Sequence, residues 1–165
     1  MFKHIYWKTV LTVVAALTVT PGITSIVLAD SSGRSGYSGN PAIGGGRTCS
    51  SCHSGGPATT VTLTGPTSVT PNSTNAYTLT VTSAGQTAGG FDVSATAGTL
   101  AAGTGSVLSG AEIIHNSPKS MTSNAVSWQF NWTAPASGTT TLYATGLSTN
   151  GNGSTSGDMV AKASA

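Results

Sequence analysis

Charge is what this sequence has least of: only 6% of its 165 residues are Asp, Glu, Lys or Arg. Lys3 and Lys8 fall in an apolar N-terminal leader. Beyond it, Arg34, Arg47, Lys119 and Lys162 stand against Asp30, Asp92, Glu112 and Asp158, a balance of zero. Nucleic acids and anionic membrane surfaces are bound by clustered basic side chains, and none cluster here, so no nucleic-acid partner is expected. Histidine is equally scarce: after the leader only His53 and His115 remain. With so few and such scattered carboxylates there is no acid–base set for hydrolysis, and the chain reads as a non-enzyme. A second long apolar run is absent too, which leaves no membrane span expected in the mature chain. Cysteine is limited to Cys49 and Cys52.

The leader has the parts of a signal peptide over residues 1–29. Lys3 and Lys8 give a positive start, Thr9 to Leu28 is apolar, and Val27-Leu28-Ala29 precedes Asp30 as a cleavage signal. Pro21 and Gly22 interrupt the run and argue against a continuous membrane helix, the competing reading being an uncleaved anchor. No Cys follows the cleavage signal, which argues against a lipoprotein. The expected location is therefore periplasmic, or secreted to the cell surface.

Residues 30–57 are rich in Gly and Ser without helical or alternating periodicity, the pattern of an irregular arm. Gly44-Gly45-Gly46 would let the backbone pass close to a bulky group. From residue 58 to 165 the pattern changes. Val61 and Leu63 alternate with Thr, as do Tyr77, Leu79 and Val81; Phe91, Val93 and Ala95 follow Gly89-Gly90. Val126, Trp128, Phe130 and Trp132 form the strongest alternation, and Leu142 and Ala144 continue it. Period-2 spacing broken by turn residues predicts an all-β, antiparallel immunoglobulin-like β-sandwich with a Trp and Phe core.

The chemistry is concentrated in Cys49-Ser50-Ser51-Cys52-His53, the C-x-x-C-H signature of covalent c-type haem attachment. Two thiols add across the two vinyl groups of haem, a two-residue spacer spans that distance, and His53 then lies where it can coordinate iron as proximal ligand. One covalent haem c is the expected cofactor. A tight disulfide or half of a zinc site are the competing readings; the first lacks the strand-to-helix context of redox dithiols, the second needs further ligands, of which His115 is one candidate. For the sixth iron position the candidates are His115, then Met121 and Met159, or water, no ligand or an intermolecular one. His115 follows an apolar Ile pair and precedes Asn116-Ser117-Pro118, a turn, so it is placed at a strand end; a backbone-bonded edge histidine is the alternative. Arg47 is a candidate partner for a haem propionate and Tyr37 for packing on the ring, with solvated loop residues as the other reading. The Asn- and Gly-rich stretch 149–158 reads as a hairpin or long loop, since its one carboxylate is too little for a Ca²⁺ site.

Several segments together resemble a known family. Gly89-Gly90-Phe91-Asp92-Val93, Ala97-Gly98-Thr99-Leu100, His115, Ser127-Trp128-Gln129-Phe130-Asn131-Trp132-Thr133-Ala134-Pro135 and Asn150-Gly151-Asn152-Gly153 to Gly157-Asp158 occur in that order. With the C-x-x-C-H arm before them, residues 36–160 resemble the bacterial choice-of-anchor V domain, an exported Reeler-like β-sandwich. The resemblance implies a sandwich with a haem-attachment arm on the outer side of the membrane. It also implies a structural role for His115, because Reeler-like domains without haem carry a His near that place. No sorting tail precedes Ala165, so a free periplasmic or secreted form is expected. The leading functional expectation is monohaem electron transfer outside the cytoplasm, with a redox partner protein or a neighbouring haem protein and with self-association open. An envelope adhesion or assembly module, its haem or Cys49–Cys52 disulfide structural, is the second reading. A five-coordinate haem would open gas sensing or peroxidase-like chemistry.

Overall fold

Alternation of apolar side chains with Thr and Ser becomes the pleat of two stacked sheets. The computed structural model describes residues 29–165; all of the expected leader except Ala29 lies outside them. Strands follow in the order β1 (Ser54–Gly55), β2 (Thr59–Thr64), β3 (Thr74–Ser83), β4 (Ala88–Ala95), β5 (Thr99–Ala101), β6 (Ser106–Ser109), β7 (Glu112–His115), β8 (Lys119–Ser120), β9 (Ala125–Thr133), β10 (Leu142–Thr149) and β11 (Ser156–Ser164). One sheet runs β2-β3-β9-β5; the other runs β1-β11-β10-β4-β7-β6, with β8 also paired to β4. The pairings are antiparallel except β1 with β11, which is parallel. The all-β sandwich expected from the alternation is the fold.

The core is the ladder read from the sequence. Tyr77, Leu79 and Val81 of β3 and Val126, Trp128, Phe130 and Trp132 of β9 meet Phe91 and Val93 of β4, Ile113 of β7 and Leu142 and Ala144 of β10. Their rings interlock: Tyr77 stacks on Phe130 at 5.8 Å, and Phe91 meets Trp128 at 4.8 Å, inside the range in which aromatic pairs attract. Trp132 Nε1 donates to the Ala97 carbonyl at 2.9 Å and the Tyr77 hydroxyl to the Pro66 carbonyl at 2.7 Å, while the buried Trp128 Nε1 has no acceptor among the described residues.

Two features of the larger sheet position the site. The pairing of β4 is split between two strands. β7 pairs with it at Asp92, Val93 and Ser94, while β8 pairs with it at Ala88 and Gly89. The chain between them, Asn116-Ser117-Pro118, leaves the ladder, so Gly90 and Phe91 have ladder partners on β10 but none on this side. Second, the arm ends in the sheet: Ser54 N–H donates to the Thr155 carbonyl at 3.1 Å and Gly56 N–H to the Asp158 carbonyl at 2.8 Å. The residue after the C-x-x-C-H motif is thereby tied to the strand that closes the chain.

Candidate functional site

Cys49–Ser51 forms a single 3₁₀ turn. Thr48 starts it, its hydroxyl accepting from Ser50 N–H, and the N–H groups of Cys52 and His53 both donate to the Cys49 carbonyl, at 3.2 and 3.0 Å. Three residues per turn put side chains i and i+3 on one side, so the spacing of the two cysteines turns their thiols the same way. Both are free thiols, Cys52 exposed and Cys49 half-buried. Burial, reinforced by the charge of Asp92, pushes the Cys49 thiol up to about 12. Redox dithiols work through a lowered thiol pKa; Cys49 has the reverse.

His53 is oriented by a residue 105 positions away. Its Nδ1 lies 2.8 Å from Asp158 Oδ2, and the Asp158 side chain is 1% exposed. The other oxygen of Asp158 accepts from Asn150 N–H at 3.1 Å. A carboxylate only accepts, so His53 donates through Nδ1–H. Its Nε2 lone pair is left free, the tautomer that a metal-binding histidine with a carboxylate behind it adopts.

His115 does the reverse job first. At the end of β7 its buried ring fills the gap left in the β4 ladder: Nδ1 lies 3.0 Å from Phe91 N and 3.2 Å from Phe91 O. A side chain thus substitutes for the main-chain partner lost at Asn116-Ser117-Pro118. Glycines make room for the ring, since a Cβ on Gly90 would come within 2.5 Å of His115 Cε1, and Gly33 of the arm covers the same ring. Nε2 has no hydrogen-bond partner among the described residues. Burial lowers the pKa of the imidazole, with the Phe91 backbone hydrogen bond and the charge of Asp30 acting the other way. With Nδ1 accepting from Phe91 N–H, Nε2 carries the proton; with Nδ1–H donating to the Phe91 carbonyl, Nε2 is a free donor atom for a metal. Expected roles as edge histidine and as ligand therefore correspond to two tautomers of one ring.

These side chains share one cleft. Tyr37, Cys49, Cys52, His53, Phe91 and His115 line a hollow of about 590 Å³ counting its solvent-open part, and a second hollow adjoins it across His53, His115 and Leu147. Arg34, which the sequence did not single out, also lines the first hollow. Arg47 reaches the cleft through Tyr37: the Arg47 and Arg34 guanidiniums lie 5.2 and 5.7 Å from the Tyr37 ring centre. Met121 packs against the core instead, and neither it nor Met159 lines the cleft.

The arm is held over the sheet by buried acceptors. Gly36 N–H and the Ser38 hydroxyl donate to Glu112, and Tyr37 N–H donates to Asp92 at 2.8 Å. Asn40, buried, donates to Ser94 at 3.1 Å. Gly44-Gly45-Gly46 have positive φ of 59°, 69° and 76°, and a Cβ on Gly44 would strike the Gly36 carbonyl. The bulky neighbour expected beside these glycines is thus the arm's own backbone.

No protein-family model and no curated protein matches the chain. The site must be read from its own geometry. Among the described residues no three His, Cys, Asp or Glu side chains converge as a metal cage. A haem brings its own ring of nitrogen ligands and asks the protein for axial ones only, which His53 and His115 can supply. In the 149–158 hairpin the side-chain oxygens are spent internally: Asn150 and Asn152 accept from the backbone two residues on, and Asp158 serves His53 and Asn150.

Asp92 is buried beside Glu112, and burial first, then that neighbour's charge, raises its pKa from 3.8 to about 8. The unfolded chain releases this proton near 3.8 while the fold keeps it to about 8. The group's contribution to stability is therefore complete below the first value and is lost as pH rises through the second. Denaturant titrations across that range should show stability declining with pH in the wild type, and a flatter profile in Asp92→Asn.

Proposed function

We propose that this chain is an exported monohaem c-type cytochrome that transfers electrons outside the cytoplasm, built on a choice-of-anchor V type of sandwich. The observation that carries the reading is convergence: the C-x-x-C-H turn and the only other histidine beyond the leader open onto one cleft, with a buried carboxylate already behind the motif histidine. Cys49 and Cys52 would hold haem by thioether bonds, and His53 Nε2 would coordinate the iron. His115 would be the second protein ligand through Nε2, its Nδ1–H then donating to the Phe91 carbonyl. Tyr37, Arg34 and Arg47 would meet the propionate edge. Bound haem supplies one-electron cycling of its iron. The chain's part is to fix the ligands, set their basicity and shield one face. Six-coordinate iron suits electron transfer to a redox partner or to a neighbouring haem protein, because the ligand set changes little between oxidation states.

Asp158 tunes this site in the proposal. A carboxylate acceptor raises the basicity of its histidine, which favours the oxidised metal. Asp158→Asn should raise the midpoint potential in a spectroelectrochemical titration; an unchanged or lower potential would argue that Asp158 only packs. Cys49→Ser together with Cys52→Ser, exported with haem-attachment machinery, should leave no haem-stained band on a denaturing gel. Retained stain would reject covalent attachment at this motif. A fully folded, haem-free product from the unmodified chain would favour an adhesion or assembly module instead. His115→Ala should convert low-spin to high-spin iron in the absorption spectrum, and a spectrum identical to wild type would reject His115 as a ligand.

A further inference from the structure

Asp92 on β4 and Glu112 on β7 point from the outer side of the sheet into the arm, 1% and 3% exposed. They sit diagonally across the β4–β7 pairing, Asp92 opposite Ile114 and Glu112 opposite Ser94, and accept from the consecutive arm residues Tyr37 and Gly36, while Asp92 Oδ1 has no partner among the described residues. Two ionised carboxylates buried side by side repel, so one of the pair holds a proton. Glu112 takes two donors, the Gly36 N–H and the Ser38 hydroxyl, where Asp92 takes one, which leaves the proton on Asp92. The surroundings offer no countercharge. The arm presents Tyr37 and Cys49, β10 places Thr145 opposite Asp92, and no Lys or Arg makes an ion pair with either carboxyl among the described residues. Asp92 borders the cleft: Phe91, its neighbour in the chain, and Tyr37, whose N–H it accepts, both line it together with Cys49.

We infer that the Asp92–Glu112 pair is a redox-linked proton site: it releases the proton held on Asp92 when the cofactor anchored at Cys49 loses an electron, and rebinds it on reduction. The inference rests on the haem reading. Oxidation adds one positive charge at the end of the arm, and that charge favours the second carboxylate. One electron passes to an external one-electron oxidant and one proton passes from Asp92 to water; reduction reverses both. By linkage the effect is reciprocal, so a rise in pH favours the oxidised form. The protein then carries a proton with its electron, which matches it to partners that exchange both.

The test uses the haem-loaded full chain poised at a fixed potential with soluble mediators, the reduced-to-oxidised ratio being read from the absorption spectrum. Between about pH 7 and about pH 9, bracketing the perturbed carboxyl range, the wild-type ratio should fall about fivefold or more. Asp92→Asn should abolish the fall. Glu112→Gln removes the neighbouring charge and offers Asp92 a donor, so it should move the fall to lower pH, an effect that a purely structural role would not produce. A flat wild-type ratio, or an equal fall in Asp92→Asn, overturns the inference while leaving a reversible haem band in place. A chain without any reversible haem band overturns the haem reading itself.

Discussion

A segment as polar as the arm can be held on a sheet only if its backbone donors find acceptors there, and the outer face of β4 and β7 supplies them. Apolar burial contributes little to that contact. Glu112, Asp92, Ser94 and the carbonyls of Thr155 and Asp158 take donors from Gly36, Tyr37, Ser38, Asn40, Ser54 and Gly56. Burying two carboxyls side by side is costly unless one is neutral, so the seating of the arm and the protonation of Asp92 are one problem. The C-x-x-C-H turn inherits its position from this seating at both ends, through Ser38–Thr48 pairing before it and β1–β11 pairing after it.

The two histidines differ in how ready they are to bind a metal. His53 has its Nδ1 committed to an anion, which fixes the tautomer and leaves Nε2 open. His115 has its Nδ1 at a peptide group that offers both a donor and an acceptor. Ligation through Nε2 selects the donor tautomer and withdraws the acceptor that Phe91 N–H otherwise uses. In the proposed site, His53 would be a ligand built in advance and His115 one that trades a backbone bond for a metal bond, a chemically asymmetric pair. That asymmetry also explains how a histidine can be structural in the fold and still face the cleft.

Much of this was legible in the sequence. The sandwich follows from Tyr77-Leu79-Val81 and Val126-Trp128-Phe130-Trp132, because one-sided burial of a strand writes itself as alternation. The arm and its motif stood out by composition and spacing, and His115 was placed correctly at a strand end. Short strands such as β5 and β8, and β11 with its small mixed side chains, carry too little apolar contrast to be seen. The partners that matter most were hidden for another reason. Asp158, Asp92 and Glu112 looked like scattered carboxylates, since they meet the arm only through pairings across 55 to 105 positions. One signal was available: in a chain so poor in charge, each acidic residue on or beside a strand needs a reason to be there.

Covalent haem at Cys49 and Cys52 is tested most directly by the absorption spectrum of the exported, purified protein before and after dithionite, with a pyridine haemochrome of the denatured chain. Sharp reduced α and Soret bands are expected, with a haemochrome that stays with the polypeptide. A featureless spectrum from correctly exported protein made alongside working haem-attachment machinery would contradict covalent attachment.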